Sequence, residues 1–226
     1  MTELNGKTIS VLGGTGAEGS GLAFRWAHAG LKVILGSREP QKAETVADDL
    51  NSLLGRRVIV GKSNLDAARD SDIAVLTVPY ASEKAVASEV KSALRGKILI
   101  DVTVPLVPPK VDRVQLPNGR SAVAQLQDEL GPEITVVAAF QNISAHHLRD
   151  VDWKSDCDVL VCGDSAAARE IVVELARLAG FRGIHAGSLD NAAAVEALTS
   201  VLIAINKRYK VMGSGVRITG LPGLDK

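Results

Sequence analysis

Aromatic residues make up only 3% of the 226 positions, which leaves few platforms on which the bases of a nucleic-acid strand could stack. An excess of either charge is missing as well, with 26 Lys and Arg against 26 Asp and Glu. That balance offers no basic footprint for nucleic acid, and the lack of an acidic tract argues against disorder. No apolar run reaches the roughly 18 residues a membrane span needs. Residues 1–7 are polar and lead straight into a strand-like run, unlike a signal peptide. A cytoplasmic protein that binds neither nucleic acid nor membrane is expected. The two cysteines, Cys157 and Cys162, lie five apart in what reads as one strand, on opposite faces and about 16 Å from each other, so they cannot pair and read as buried free thiols. Repeats, low-complexity tracts and a convincing catalytic triad are also absent. His146 and His147 are adjacent and project differently in any regular element, and no Cys or carboxylate spacing completes a zinc site around them. His28 and His185 are isolated and read as structural or solvated.

Hydrophobic residues are plentiful, at 46%, enough for one main domain with a sizeable core. Short β-branched runs alternate with longer helical patterns, the signature of an α/β fold with a doubly wound, mostly parallel sheet. Strands are expected at 8–12, 32–35, 57–60, 73–78, 97–102, 134–139 and 158–162, with a shorter one at 183–186. Helices are expected at 17–29, 41–54, 82–94, 121–130, 165–179 and 191–210. Pro and Gly cluster at 104–110, 116–119 and 213–223, which read as loops. A composition shift near Gly163-Asp164 divides a dinucleotide-binding domain, 1–163, from a small C-terminal lobe, 164–226, built on the long last helix. Asp190 or Ser188 is placed to cap that helix and Gly213 to end it. Val195, Leu198, Leu202 and Ile205 recur on it at helical spacing, to pack on the sheet or on a second copy in a homodimer.

The most specific feature is Gly14-x-Gly16-x-x-Gly19, which follows the apolar run 9–12, opens a helical pattern and is followed by a second strand within about 30 residues. Missing side chains let backbone approach a pyrophosphate, and Ala17 and Glu18 open a helix whose free amides and dipole favour an anion. Gly19 allows close helix–strand packing. The second strand then ends in Gly36-Ser37-Arg38, where an NAD-selective site usually carries Asp or Glu for the ribose hydroxyl. A small residue, a hydroxyl and a guanidinium suit a 2′-phosphate instead, with Lys42 one turn on. NADP(H) is expected over NAD(H); the alternative is a solvated Arg38 with Glu39 in the carboxylate role. In open parallel sheets ligands lie beyond the carboxyl ends of the strands. That selects Val78-Pro79-Tyr80, Thr103-Val104-Pro105-Leu106 and Phe140-Gln141-Asn142-Ile143-Ser144, apolar loops with a few amides and hydroxyls, as expected of a pocket for flat rings. Asp101, just before the second of these, either orients a loop or caps it.

The segments Leu12 to Gly19, Leu35-Gly36-Ser37-Arg38, Ile73 to Pro79 and Val161-Cys162-Gly163-Asp164, followed by Ala186-Gly187-Ser188-Leu189 and Glu196-Ala197-Leu198-Thr199, occur in the order seen in a known family. Over nearly its whole length the chain resembles NADPH-dependent coenzyme F420 reductases. The resemblance implies hydride transfer between NADP(H) and the 8-hydroxy-5-deazaflavin of coenzyme F420, both small-molecule coenzymes. It implies Thr15, Ser37, Arg38 and Lys42 around the 2′-phosphate, Gly14 and Gly16 facing pyrophosphate, Val78 and Pro79 along the nicotinamide, and Gln141, Asn142 and Ile143 bordering the deazaflavin. Some relatives place His-Thr where this chain has Gln141-Asn142; amides hydrogen-bond ring carbonyls but do not titrate near neutral pH. Lys207, Arg208, Lys210 and Arg217 either receive the anionic tail of that coenzyme or simply suit a helix C-terminus. Two rivals stand beside this reading. One is an NADPH-dependent reductase of another acceptor, such as an imine, a flavin or a ferric complex; the other is a non-catalytic NADP(H) sensor. The roughly 60 residues after Asp164 are too few for an extensive substrate domain, which favours an acceptor docking directly over the nicotinamide.

Overall fold

The computed structural model describes residues 4–153 and 155–221. Six parallel strands run in the order β3-β2-β1-β4-β5-β6: β1 (Thr8–Leu12), β2 (Lys32–Ser37), β3 (Ile59–Ser63), β4 (Ile73–Leu76), β5 (Ile98–Asp101) and β6 (Thr135–Ala138). The order reverses at β1, whose two neighbours are β2 and β4. This is the Rossmann-type, doubly wound arrangement that the alternation of elements implied, and it opens a crevice at the carboxyl ends of β1 and β4. The strands inside the sheet are rich in Val, Ile and Leu because helices cover both faces, whereas the edge strand β3 carries Gly61, Lys62 and Ser63 and leaves Val60 exposed. On one face α1 (Ala17–His28), α2 (Pro40–Leu54) and α6 (Ala166–Leu178) pack through Leu22, Trp26, Leu50 and Val172. On the other, α4 (Tyr80–Val90), α5 (Ala122–Leu130) and α7 (Ala192–Tyr209) pack through Val86, Val90, Leu126 and Val195.

A second, two-stranded sheet pairs β7 (Asp158–Val161) with β8 (Arg182–His185) in parallel, joined by α6. It meets β6 through one antiparallel bridge, in which the amides of Ala138 and Cys162 each donate to the other's carbonyl at 2.8 and 3.0 Å. The Gly163-Asp164 shift falls within this β-α-β unit, just past β7. Arg182 forks onto the buried Asp158 at 2.6 and 2.7 Å, which fixes the register of the pair from its edge.

Several expected boundaries move for physical reasons. β4 ends at Leu76 rather than at 78, because Pro79 and the start of α4 turn the chain there and leave Val78 and Pro79 as loop. The last turn of that helix, Lys91–Leu94, tightens to 3-10 form. β3 is displaced to Ile59–Ser63, since the Asn51 side chain takes the amides of Val58 and Ile59 at the turn before it. A short helix, α3 (Asn64–Arg69), was not expected; Ser63 Oγ caps it by accepting from Asp66 N at 3.1 Å. Neither Ser188 nor Asp190 caps α7 through its side chain, because a 3-10 turn, Leu189–Asn191, leads into the helix. The helix ends at Tyr209, with Lys210 left-handed, before Gly213 is reached. Cys157 and Cys162 are free and flank β7 rather than lying within it; only Cys162 is buried as expected, Cys157 being half-buried. The polar start at 1–3 and the end of the 213–223 loop beyond 221 lie outside the described residues.

Candidate functional site

The glycines of the first loop divide by what a side chain would meet. A Cβ on Gly14 would lie 2.6 Å from both Leu35 Cδ2 and the Val11 carbonyl, and one on Gly19 would strike Thr77 Oγ1 and, at 2.8 Å, Gly14 Cα. These two let α1 and β2 close against the loop. The Gly14 amide is spent on the Gly36 carbonyl at 3.0 Å. Gly13, which the motif does not include, has φ +67 and would strike Val78. Gly16 alone looks onto open space, with nothing within 4 Å of a built Cβ.

That space is a cavity of about 220 Å³ at the reversal of strand order. Of the residues singled out by sequence, Thr15, Gly16, Ser37, Arg38, Lys42, Val78 and Pro79 line it together. Gly14, Ala17 and Glu18 border it in sequence without lining it. Arg38 and Lys42 are exposed and, among the described residues, neither is held in an ion pair. Ser37 is buried, and its Oγ accepts from Glu39 N at 3.1 Å while its own proton remains available. Glu39 also lines the cavity. Glu18, in the first turn of α1, is half-buried; loss of water pushes its carboxyl up to about 8, so at neutral pH it is mostly uncharged and does not oppose an anion at the helix start.

Sequence reasoning missed Asn64, Thr77 and Ser82, which line the same cavity. Asn64, 1% exposed, accepts from Gly13 N through Oδ1 at 3.0 Å and leaves its buried Nδ2 without any acceptor. An unserved buried donor costs about 1–3 kcal/mol, and an oxygen-rich ligand in the cavity is the natural acceptor. The open cradle at Gly16, the free cations and this donor together fit an anionic dinucleotide.

Gln141, Asn142 and Ile143 line a second cavity of about 150 Å³, facing Thr199, Leu202 and Asn206 of α7. Their amide nitrogens are committed to backbone: Gln141 Nε2 donates to the Asp101 carbonyl at 2.8 Å, and Asn142 Nδ2 to the Asp158 carbonyl at 2.7 Å. Their oxygens Oε1 and Oδ1 are buried without a donor. The loop turns on Phe140, which adopts φ +72 while fully buried edge-on to Trp26 at 5.9 Å. Such a conformation costs about 1–3 kcal/mol for a bulky residue and persists only where packing over-determines it. Arg25 helps to do so. Its guanidinium donates to the carbonyls of Leu148, Ala179, His147, Asp150 and Trp153, fastening the chain that follows the loop onto α1.

Other candidates take structural places. Asp101 orients its loop, accepting from Thr103 N at 2.8 Å. His147 stacks on Trp153 with centroids 4.6 Å apart, and His185 lies 3.2 Å from Glu170. The basic residues do not converge: Lys207 is bound to Asp112 at 2.8 Å, Arg217 sits near enough to Asp158 to help hold that carboxyl low, and Arg208 and Lys210 are exposed. Along α7, Val195 and Leu202 are buried but Ile205 is 36% exposed, in a stripe with Val201 and Tyr209.

Residues 8–105 match the family model described as NADP oxidoreductase, coenzyme F420-dependent. The chain is 39% identical over 221 residues to the F420-dependent NADP reductase of Methanocaldococcus jannaschii, covering 94% of this chain and 98% of that one. It is 41% identical over 223 residues to the protein of the same name from Methanothermobacter thermautotrophicus, covering 95% of each. Among solved structures, it superposes on a candidate F420-dependent NADP-reductase from Arthrobacter sp. FB24 with a TM-score of 0.79 at 27% identity, covering 95% of this chain and all of that one.

Proposed function

The chain belongs to the family of coenzyme F420-dependent NADP oxidoreductases, and on that premise we propose that it passes hydride directly between NADP(H) and the deazaflavin ring of coenzyme F420. The coenzymes themselves supply the electronic chemistry, between nicotinamide C4 and deazaflavin C5. The protein's part is to hold the two rings in near-attack contact, which is worth about 7–11 kcal/mol of barrier. The single observation that carries the reading is the set of unpaired polar groups around one cavity. Among the described residues Arg38 and Lys42 are held in no ion pair, the Ser37 hydroxyl keeps its proton free, Gly16 leaves room, and Asn64 offers an unserved donor.

In this reading Thr15, Ser37, Arg38 and Lys42 grip the 2′-phosphate, and the loop from Gly14 to Glu18 passes under the pyrophosphate. Val78 and Pro79 wall the nicotinamide. Gln141, Asn142 and Ile143 border the deazaflavin, with the two amide oxygens facing it as acceptors. Because neither amide titrates near neutral pH, no proton relay runs through them. The enzyme works in the cytoplasm as a homodimer, with a second copy covering the exposed apolar stripe of Val201, Ile205 and Tyr209 on α7; light scattering at twice the chain mass is the expected result.

The test is to mix purified protein with coenzyme F420 and NADPH deuterated at C4 and to follow the deazaflavin absorbance and the label. Bleaching of that band with deuterium delivered to the deazaflavin is expected. An unchanged band, with NADPH oxidised by a flavin, an imine or a ferric complex instead, overturns the proposal in favour of a different acceptor. Tight NADPH binding with no turnover on any of them points to a sensor.

A further inference from the structure

Behind the Val78-Pro79 wall lie three buried carboxyls that hydride transfer does not employ: Glu83 on α4 and Asp101 at the end of β5, both 0% exposed, and Glu196 on α7, 1% exposed. Glu196 is fully served. It accepts from Ser121 Oγ at 2.5 Å and from the amides of Ala122 and Val123 at 2.8 and 3.2 Å, at the N-terminus of α5, where a negative charge is favoured. Asp101 Oδ1 is served by Thr103 N. Asp101 Oδ2, both oxygens of Glu83 and the Thr103 hydroxyl beside Asp101 are buried with no other partner, so Thr103 can serve Asp101 but no donor reaches Glu83. Yet the Glu83 and Asp101 carboxyls face each other in hydrogen-bonding contact.

Two ionised carboxylates cannot occupy that arrangement in a medium that excludes water, whereas one proton between them turns the contact into a charge-assisted hydrogen bond. Among the described residues no cation is paired with either carboxyl. The Lys84 charge eases Glu83 only slightly, because its amine is directed to Glu129. The other titratable groups around it are Tyr80 on α4, Glu129 on α5, Glu196 on α7 and, beyond Glu196, Cys162 just past β7; the cation there, Arg169 of α6, lies beside Cys162 and donates to the Gly163 carbonyl rather than to either carboxyl of the pair.

We propose that Glu83 and Asp101 share a single proton and act as a positioning pair, tying the first turn of α4 to the carboxyl end of β5. The tie holds two walls at a fixed separation. On one side α4 begins directly after Val78 and Pro79; on the other, Asp101 carries Thr103 through its carboxylate and Gln141 through its carbonyl. The nicotinamide and the acceptor ring meet between those walls, a step that rests on the function proposed above; the protonation state of the pair does not.

Glu83→Ala, Glu83→Gln and the wild type test this together. The amide that Glu83→Gln introduces can still donate to an ionised Asp101, so it restores the tie without the proton. Glu83→Ala is expected to lower kcat roughly 10- to 100-fold, the scale of a misplaced reacting ring, with the NADPH Kd changed less than about threefold, and Glu83→Gln to recover most of the loss. Difference infrared spectroscopy of wild type against Glu83→Gln at neutral pH should show the carbonyl stretch of a buried protonated carboxylic acid. Burial and the neighbouring carboxylates push Glu83 from 4.5 up to about 9. A proton bound in the folded state and not in the unfolded one makes stability fall as pH rises between those values, so the melting temperature of the wild type should decline across that window more steeply than that of Glu83→Gln. No acid carbonyl band, equal pH slopes, or a Gln variant as impaired as the Ala variant overturns the proposal. Should F420 prove not to be the acceptor, the infrared and melting measurements still decide the state of the pair.

Discussion

At the end of the site proposed to take the phosphate, Ser37, Arg38 and Lys42 follow one another within a single turn and its helix, and the two cations reach solvent with no ion pair among the described residues. At the ring end, Asp101 and Gln141 lie 40 residues apart, are buried, and are bonded to each other through side chain and backbone. The first end presents charges to a ligand; the second spends its hydrogen bonds on holding shape. In the function proposed, affinity and the choice of nucleotide belong to the first, where each side chain would act on the ligand directly, and the orienting of the rings to the second, where the side chains act through the backbone they fix.

The contrast is broken most sharply at the glycine loop. Gly16→Val should remove nucleotide binding altogether while leaving the melting temperature nearly unchanged, because a Cβ there meets nothing within 4 Å and enters the space proposed for the pyrophosphate. Gly14→Val should instead unfold the loop, since overpacking against Leu35 and the Val11 carbonyl costs about 1–3 kcal/mol or more. Titration calorimetry and thermal melting on the two variants separate these outcomes; loss of stability in the first contradicts the division. At the ring end, Arg25→Met leaves five backbone carbonyls without their donor and should cost on the order of 3 kcal/mol in urea unfolding, with NADPH still bound by whatever remains folded.

Smaller effects sharpen the comparison. Glu18 ionises as pH rises through about 8, setting a negative charge beside a bound pyrophosphate. NADPH binding should therefore weaken several-fold between pH 7 and 9, and Glu18→Gln should flatten that dependence. A pH profile identical in the variant argues against Glu18 as the cause. Salt should act on one end alone. Raising ionic strength from about 0.05 to 0.5 M screens exposed Arg38 and Lys42, weakening NADPH a few-fold without moving the kcat set by the buried ring end.

The same division explains how much could be read in the chain beforehand. The phosphate end is local: Gly14 to Gly19 and Gly36 to Arg38 are contiguous, and the cavity gathers residues from both. The parallel sheet was legible because its inner strands are buried on both faces and therefore read as plain apolar runs; β3, half-exposed at the edge, is the strand whose range was displaced. Asn64 was hidden because it opens a six-residue helix whose only local signal is Ser63, and its contact with Gly13 spans 51 residues. The amides of Gln141 and Asn142 were visible as polar groups in an apolar loop. That their nitrogens are committed to backbone 40 and 16 residues away could not be read without the register of β5, β6 and β7. Glu83 reads in sequence as one more charged residue on a helix; only its burial against Asp101 sets it apart.

The central claim, that a 2′-phosphate is recognised between Ser37 and Arg38, is tested most directly by the dissociation constants of NADPH and NADH for the wild type and for Arg38→Ala. A charge-assisted, planar contact is worth about 1.5–3 kcal/mol, so NADPH should weaken roughly 10- to 100-fold while NADH changes little, collapsing the preference of the wild type. Equal weakening of both nucleotides, or none of either, contradicts the account.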